Sequence, residues 1–269
     1  MAFDLDRVQN ALADTKFARR VRHFDSVGST NTLGLEAAQA GAHESVWIAD
    51  EQTAGRGRGN HSWHSAAGEG LYVSALVRPP IPARNALPIS LAAGLAAKSA
   101  IAEVTGVEID IRWPNDLLIG SRKCGGILVE TAISPEVSGS PAMLRYAVIG
   151  IGINLNHTEF PEALTDAATS LRIETGSTIS REKLLIALLK QIEEEMTLLV
   201  RDWHGTDNGL GVYARFSAAS TWVYGKRVHV AEAGGYTGVT AGFDSQGFLL
   251  VETDDGQRRT VLSGGVREL

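Results

Sequence analysis

Residues 88–132 read PISLAAGLAAKSAIAEVTGVEIDIRWPNDLLIGSRKCGGILVETA, and the fold class turns on how they are divided. Pro88 suits a first helical turn and Gly106 a helix end, so a helix is expected from Pro88 to about Thr105. Its Ala-Ala-Gly and Ala-Ala pairs keep the surface thin, which points to close packing against a sheet. Val107, Ile109 and Ile111 then alternate with Glu108, Asp110 and Arg112, the period of a half-exposed strand. Pro114 ends that ladder, and Gly126–Ala132 reads as a further strand.

The same two periods extend in both directions. Residues 4–20 suit a short helix, with Leu5, Val8, Leu12 and Ala13 roughly on one face. Ser29-Thr30-Asn31 are residue types that cap helix starts, so a second helix should follow them and end near Gly41. Residues 46–49 and 71–77 read as buried strands, and 146–153 as a further strand. A long amphipathic helix is expected over 181–200, with Leu185, Leu188, Leu189, Ile192, Met196 and Leu199 inward and Glu193–Glu195 mostly exposed. Beyond about Ser220 the pattern changes to short strands at 226–232, 236–243, 247–252 and 257–262, separated by turns such as Asp254-Asp255-Gly256. The class expected is α+β: a mixed sheet with helices over residues 1–220, then a small SH3-like β-barrel over 221–269.

Composition narrows the function. The chain has 269 residues, enough for one large domain and a small one, and its net charge of −6 carries no overall basic footprint for nucleic acid. A single cysteine, Cys124, forbids an intrachain disulfide and suits a reducing, cytoplasmic compartment. The apolar runs read as too short to cross a membrane, and the first 20 residues lack the apolar stretch of a secretory signal. Glycine is abundant, at 29 residues, so tight loops and close backbone approaches are expected.

Four segments carry residues suited to chemistry. Ala54-Gly55-Arg56-Gly57-Arg58-Gly59 alternates guanidinium groups with flexible backbone, a combination that binds phosphate or carboxylate, although a solvated surface loop has the same composition. Arg112-Trp113-Pro114-Asn115-Asp116 places an amide and a carboxylate at a strand end, where an Asx-type turn is the plainer reading. Arg122-Lys123-Cys124-Gly125-Gly126 brings a lysine to the opening of a strand whose glycines admit a ligand, or forms a hairpin with a solvated lysine. Gly150-Ile151-Gly152-Ile153-Asn154 is either a close approach to a ligand or a tightly packed strand. His61 and His64 lack a carboxylate or thiol to complete a metal site. Together the segments point to phosphate or adenylate chemistry without naming a substrate.

Taken in order and spacing, these segments resemble the biotin protein ligase family. The match runs through Ser29-Thr30-Asn31, Gln52, Gly55-Arg56-Gly57-Arg58, Trp63, Trp113-Pro114-Asn115-Asp116, Arg122-Lys123, Gly125–Glu130, Gly150–Asn154 and the strand-rich end, covering roughly residues 22–269. The resemblance implies a catalytic domain of the class II synthetase and biotin ligase type, which forms biotinyl-5′-AMP from biotin and ATP with Mg²⁺. It implies a second step that transfers biotin to a lysine of a biotin carboxyl carrier protein. It implies biotin contacts from Ser29, Thr30, Asn31, Gln52, Gly55, Arg56, Gly57, Arg58, Lys123 and Gly126, and nucleotide contacts from Trp63, Asn115 and Asn154. Lys123, Arg56, Arg58 and Asp116 are the implied catalytic set, and residues 157–168 the implied second loop, covering adenine. The short stretch before the match implies a monofunctional type without specific DNA binding. The sequence departs from the family at Gly59-Asn60-His61-Ser62, where a further arginine is usual and His61 stands instead. Lipoate ligases and octanoyl transferases are the neighbouring alternative.

Overall fold

The structure, a computed structural model, describes residues 3–82, 87–134, 142–205 and 210–269. The first elements are α1 (Leu5–Ala11), β1 (Val21–Val27), α2 (Thr30–Gln39), β2 (Ser45–Gln52) and β3 (Gly70–Val77). They are followed by α3 (Leu87–Thr105), β4 (Asp110–Arg112), β5 (Asp116–Ile119), β6 (Arg122–Ile133) and β7 (Leu144–Asn154). Three helices come next: α4 (Leu171–Thr175), α5 (Arg181–His204) and α6 (Leu210–Ala219). The chain ends in β8 (Tyr224–Val230), β9 (Tyr236–Phe243), β10 (Leu249–Thr253), β11 (Arg258–Val261) and β12 (Val266–Glu268).

Seven strands form one mixed sheet in the order β1-β2-β3-β7-β6-β5-β4. Only β1 and β2 run parallel; the other pairs are antiparallel. The central strands β3 and β7 are almost wholly buried because both faces are covered. Helix α3 packs on one face with α5 and α6 outside it, while α2 covers the other face beside β2, β3 and β7. At Gly94 the missing side chain lets Ile111 and Phe216 come within 3.3 and 3.6 Å of where a Cβ would stand. This is the close packing that the small residues of this helix foretold.

Several expectations need correction. Helix α1 covers seven residues rather than most of 4–20, and Leu12 is already its C-cap. The strand expected over 107–112 is three residues long, Asp110–Arg112, and turns immediately into the β4–β5 hairpin through the cis Trp113–Pro114 bond. Glu195 is buried rather than exposed, because it pairs with Arg215 of α6 at 3.1 Å. Helix α3 is long and apolar enough to pass for a membrane span, contrary to the reading of the apolar runs. Its apolar residues are spent on the core instead.

The last five strands form an antiparallel sheet in the order β11-β10-β9-β8-β12. Its end strands, β11 and β12, are not paired with each other among the described residues, so ladder bonds do not close the barrel that was expected. This sheet is tied to the first one near the β4–β5 hairpin. The Trp113 indole donates to Gly247 O (3.3 Å), and Thr221 N donates to Asp110 Oδ1 (3.1 Å).

Candidate active site

A cavity of about 890 Å³ lies over the β6–β7–β3 part of the large sheet, closed on one side by the small sheet. Its floor is neutral and polar. The N-terminus of α2 arrives there from Ser29, whose extended backbone makes it the cap residue, yet its hydroxyl makes no capping bond. Gln52 of β2 caps the helix in its place: its Oε1 accepts from Thr30 N at 2.9 Å. Gln52 Nε2 donates to the Ser65 hydroxyl (3.0 Å). The Thr30 hydroxyl lies 2.8 Å from that of Ser74, which donates to Asn31 Oδ1 at 2.8 Å. Asn31 Nδ2 donates in turn to Glu130 Oε2 at 2.7 Å. Thr30, Asn31 and Ser74 are buried, and burial is tolerable because each polar group finds a partner.

The rim is cationic. Arg56, Arg58, Arg112, Lys123 and Arg267 line the cavity against two carboxylates, Asp116 and Glu232. Residues 55–63 fold into a tight hairpin, with Trp63 N bonded to Gly55 O (2.9 Å) and Gly57 N to His61 O (2.7 Å). This hairpin carries both arginines. Arg56 pairs with Glu130 Oε1 at 2.6 Å, and Arg58 donates to Asn115 Oδ1 at 3.2 Å. Burial pulls the Arg58 guanidinium pKa below its ordinary value, although the charges of Asp116 and Glu232 oppose the shift.

Lys123 and Arg112 both grip Asp116. Arg112 does so through Nε (3.1 Å) and Nη2 (2.6 Å), and Lys123 through its ammonium. Burial alone would raise the Asp116 pKa. The two cations outweigh it and hold the carboxyl below its usual range. Lys123 also sits 5.4 Å from the centre of the Trp63 ring. That ring lies against the sheet only because Gly152 has no side chain: a Cβ there would stand 2.5 Å from Trp63 Nε1. The indole N–H is buried and has no acceptor among the described residues.

The backbone beneath Lys123 is clamped from a third side. Lys123 N donates to Ala167 O (2.8 Å) and Thr169 N to Lys123 O (3.0 Å). Leu164 and Ala167, within the expected second loop, reach the cavity wall. Fully buried His157 stacks on Phe160 at 5.0 Å and faces His64 at 5.9 Å. Burial, then the neighbouring His64, lowers the His157 pKa to about 4.

The structure thus gathers Ser29, Thr30, Asn31, Gln52, Arg56, Gly57, Arg58, Trp63, Asn115, Asp116, Lys123 and Gly126 around one cavity. Two expected site residues are not on its wall. Gly55 packs under Trp63 O and the Ser65 hydroxyl. Asn154 is buried behind the sheet, where its Nδ2 donates to Lys123 O (3.3 Å) and Thr169 O (3.0 Å). It therefore braces the lysine's backbone instead of facing a ligand. Ser74 and the small sheet's Glu232 and Arg267 were missed by sequence reasoning, while Arg112 and Glu130 lay within quoted segments but were given no role. Ser74 had a signal, as the lone hydroxyl in the apolar run Leu71–Val77. His61 lines the cavity, but neither it nor His64 joins a potential metal cluster among the described residues. The cluster that does occur, His23, Asp25 and Asp50, has Asp50 already paired with His23 and Arg181.

A cation-rimmed, neutral-floored cavity on a mixed sheet, flanked by a small antiparallel sheet, defines an enzyme that handles an anionic, nucleotide-sized ligand. Residues 24–154 match the Biotin/lipoate A/B protein ligase family, and residues 223–266 the Biotin protein ligase C terminal domain. The bifunctional ligase/repressor BirA of Bacillus subtilis is 34% identical over 251 residues, covering 88% of this chain and 70% of that protein. The biotin--[acetyl-CoA-carboxylase] ligase of Mycobacterium tuberculosis is 33% identical over 246 residues, covering 88% and 84%. Among solved structures, the biotin protein ligase from Aquifex aeolicus in complex with biotin and ATP superposes with a TM-score of 0.75 at 28% identity, covering 93% of this chain and all of that one. The chain belongs to the biotin protein ligases of the biotin/lipoate ligase family, and it is a ligase enzyme.

Proposed function

We propose that this enzyme condenses biotin with ATP to biotinyl-5′-AMP and then passes the biotinyl group to one lysine of a biotin carboxyl carrier protein. The observation that carries the reading is the placement of Lys123, Arg56 and Arg58 above a neutral hydrogen-bonding floor within one cavity. The floor suits an uncharged ring rich in N–H and C=O groups, and the rim suits a carboxylate and a phosphate. Ser29, Thr30, Asn31, Gln52 and Gly126 are assigned to the ring side. Trp63 and Asn115 are assigned to the nucleotide side. We take residues 1–220 as the catalytic domain and 221–269 as the small domain, which adds Glu232 and Arg267 to the wall.

In the first half-reaction a biotin carboxylate oxygen attacks the α-phosphorus, and the bond to pyrophosphate breaks. Charge builds on the α-phosphate oxygens, where Lys123, Arg56 and Arg58 stabilise it. Asp116 serves to aim Lys123. A carboxylate held below its usual pKa by two cations is a poor proton acceptor, so the positioning role is favoured over the basic one. In the second half-reaction a neutral carrier lysine attacks the acyl carbon and AMP leaves. Mg²⁺ is expected to enter with ATP. The two carboxylates of the cavity do not form a cage for it: Asp116 is paired with Lys123 and Arg112, and Glu232 accepts from Ser263 N and Leu262 N at 2.6 and 3.0 Å. Phosphate oxygens and water would therefore supply its ligands. The setting proposed is the cytoplasm, where the free, buried Cys124 stays reduced.

The test is ATP–pyrophosphate exchange with purified protein, comparing biotin, lipoate, octanoate and no acid. Exchange that depends on biotin alone is the expected result. Exchange with lipoate or octanoate instead would move the enzyme to the neighbouring ligases, and none at all would refute adenylation.

A further inference from the structure

We infer that Arg267, on the small sheet, binds the pyrophosphate that leaves as the adenylate forms. The inference rests on the proposed adenylation of biotin, and it gives the small domain a part in the first half-reaction that it does not have in the second.

Charge on the small sheet is balanced group by group, with one exception. Lys226 pairs with Glu268 at 2.9 Å, Arg227 with Asp254 at 2.6 Å and Arg258 with Glu252 at 2.6 Å. Arg259 lies over the Tyr236 ring, 5.0 Å from its centre. The Arg267 side chain has no such partner among the described residues, yet it lines the cavity. Its direction follows from the strand. Val266 is buried in the core, so the next side chain along β12 points out of it. Glu232, the carboxylate that this sheet brings to the same wall, is engaged elsewhere. Its Oε1 accepts from the Ser263 N and hydroxyl (2.6 and 2.8 Å), and its Oε2 from Leu262 N (3.0 Å). The other four rim cations are held by groups of the large domain: Arg56 by Glu130, Arg58 by Asn115, and Arg112 and Lys123 by Asp116.

Strand order sets where the leaving group goes. Gln52 and Ser74 stand on β2 and β3 and Lys123 on β6, while the small sheet docks beside the β4–β5 hairpin at the far end of the same sheet. A ring held at Thr30 and Asn31, with its carboxylate at Lys123, reaches the α-phosphorus from the β3 side. Attacking and leaving oxygens lie roughly in line across phosphorus, so pyrophosphate departs on the opposite side, toward the small sheet. The carboxylate oxygen bonds to phosphorus, the bond to the β-phosphate breaks, and its electron pair stays on pyrophosphate. That growing charge calls for a cation no protein carboxylate already holds, and a guanidinium fork matches two phosphate oxygens. Among the rim cations Arg267 meets both conditions.

The experiment separates the two half-reactions. Biotinyl-AMP is bound to the wild type, Arg267→Gln and Arg267→Lys, with thermal melts to verify folding. One portion of each complex is mixed with inorganic pyrophosphate, and the ATP regenerated is followed against pyrophosphate concentration. Another is mixed with a biotin carboxyl carrier protein, and the rate of biotin transfer is followed. Arg267→Gln should raise the half-saturating pyrophosphate concentration about 10-fold, the loss of one charge-assisted bond, and leave transfer within about twofold of wild type. Arg267→Lys restores the charge without the fork, so it should recover most of that loss. Should Arg267→Gln fold poorly, Arg267→Lys must still show a smaller rise confined to pyrophosphate. An unchanged pyrophosphate dependence, or losses of equal size in both reactions, would overturn the inference. A loss confined to transfer would also overturn it and assign Arg267 to the carrier's surface. A wild type that forms no biotinyl-AMP from biotin and ATP would refute the underlying reading instead.

Discussion

The floor and the rim of the cavity are built on opposite principles. Floor residues sit on helix and strand and bond to one another: Gln52 to Thr30, Thr30 to Ser74, Ser74 to Asn31. They are satisfied before any ligand arrives, so their geometry is fixed in advance. Rim residues are charged, and four of them are held on a protein group that a ligand anion must replace or share: Arg56 on Glu130, Arg58 on Asn115, Arg112 and Lys123 on Asp116. The difference separates recognition, which needs a rigid pattern, from charge stabilisation, which needs cations able to shift onto phosphate as it gains charge.

The largest effect should come from the rim. Lys123→Ala removes the ammonium nearest Asp116 and should lower the adenylation rate by about 10²–10³, the usual loss for one such donor. The thermal midpoint should hardly change, since the residue's backbone bonds to Ala167 and Thr169 remain. Pyrophosphate exchange at saturating biotin measures the first quantity. A near-normal rate would remove Lys123 from the catalytic set and leave the contrast between floor and rim without its strongest support.

Arg58→Gly should act next in size, on retention more than on formation of the adenylate. It deletes a charge-assisted bond of ~1.5–3 kcal/mol, so biotinyl-AMP should escape roughly 10- to 100-fold faster. Escaped adenylate acylates unrelated lysines. The check is avidin blotting of a bystander protein mixed with the carrier. Label confined to the carrier would mean that Arg58 does not close the site.

Two alanines on one strand offer a finer cut. Gly150 and Gly152 face the same side of β7, yet they meet different halves of the cavity. A Cβ at 150 would stand 2.9 Å from Asn31 Cγ, and one at 152 would stand 2.5 Å from Trp63 Nε1. Gly150→Ala should therefore raise KM for biotin with kcat little changed, and Gly152→Ala should lower kcat through Trp63 and Lys123. Each is expected to cost ~1–3 kcal/mol, the range for overpacking a close contact. Identical kinetic signatures from the two variants would show that floor and rim are not separable.

The sequence carries the regular parts of this division better than the joined parts. Strands β2, β3 and β7 and helix α5 announce themselves because their periods come from burial on one face or two. Strand β1 does not, since VRHFDSV is a half-exposed edge carrying charges, and neither does β12, which is three residues long. Strand β5 is hidden by its brevity and by the turn that precedes it. At the site, the arginine loop and Lys123 stand out by residue type. Glu130 and Arg112 do not, because their meaning lies in partners 74 and 4 residues away, and only the fold brings the first pair together. The same holds for Glu195, whose burial depends on Arg215, and for Glu232, which reaches the cavity only once the small sheet is docked. Asn154 misled for the reverse reason: an amide beside a glycine-rich strand looks like a ligand contact, whereas here its role is to tie down the backbone of Lys123.

The smallest expected effect concerns the roots of the rim rather than its charges. His157 joins them, being stacked on Phe160 of one loop and facing His64, next to Trp63 of the other. The groups facing its ring are His64 and the Glu69 carboxylate, 4.0 Å from Nε2, too far for a hydrogen bond. Neither ring nitrogen has a hydrogen-bond partner among the described residues, so the neutral ring is what the fold accommodates. The unfolded chain takes up this proton near pH 6.5 and the folded one only near 4. Between those values the unfolded state binds more protons, so this contribution to stability is present above pH 6.5 and is lost as pH falls toward 4. Replacing the ring by a neutral amide, His157→Gln, should flatten that part of the pH dependence. Between pH 7 and pH 5 the wild type should lose more thermal midpoint than the variant, on the order of 4–8 °C, the shift that ~2 kcal/mol makes in a chain of this size. Because His157 lies beneath the rim and away from the Thr30–Asn31 floor, adenylate retention should weaken with acid before biotin affinity does. Parallel acid curves for wild type and variant would mean that the titrating group lies elsewhere, and an earlier loss of biotin affinity would place it under the floor.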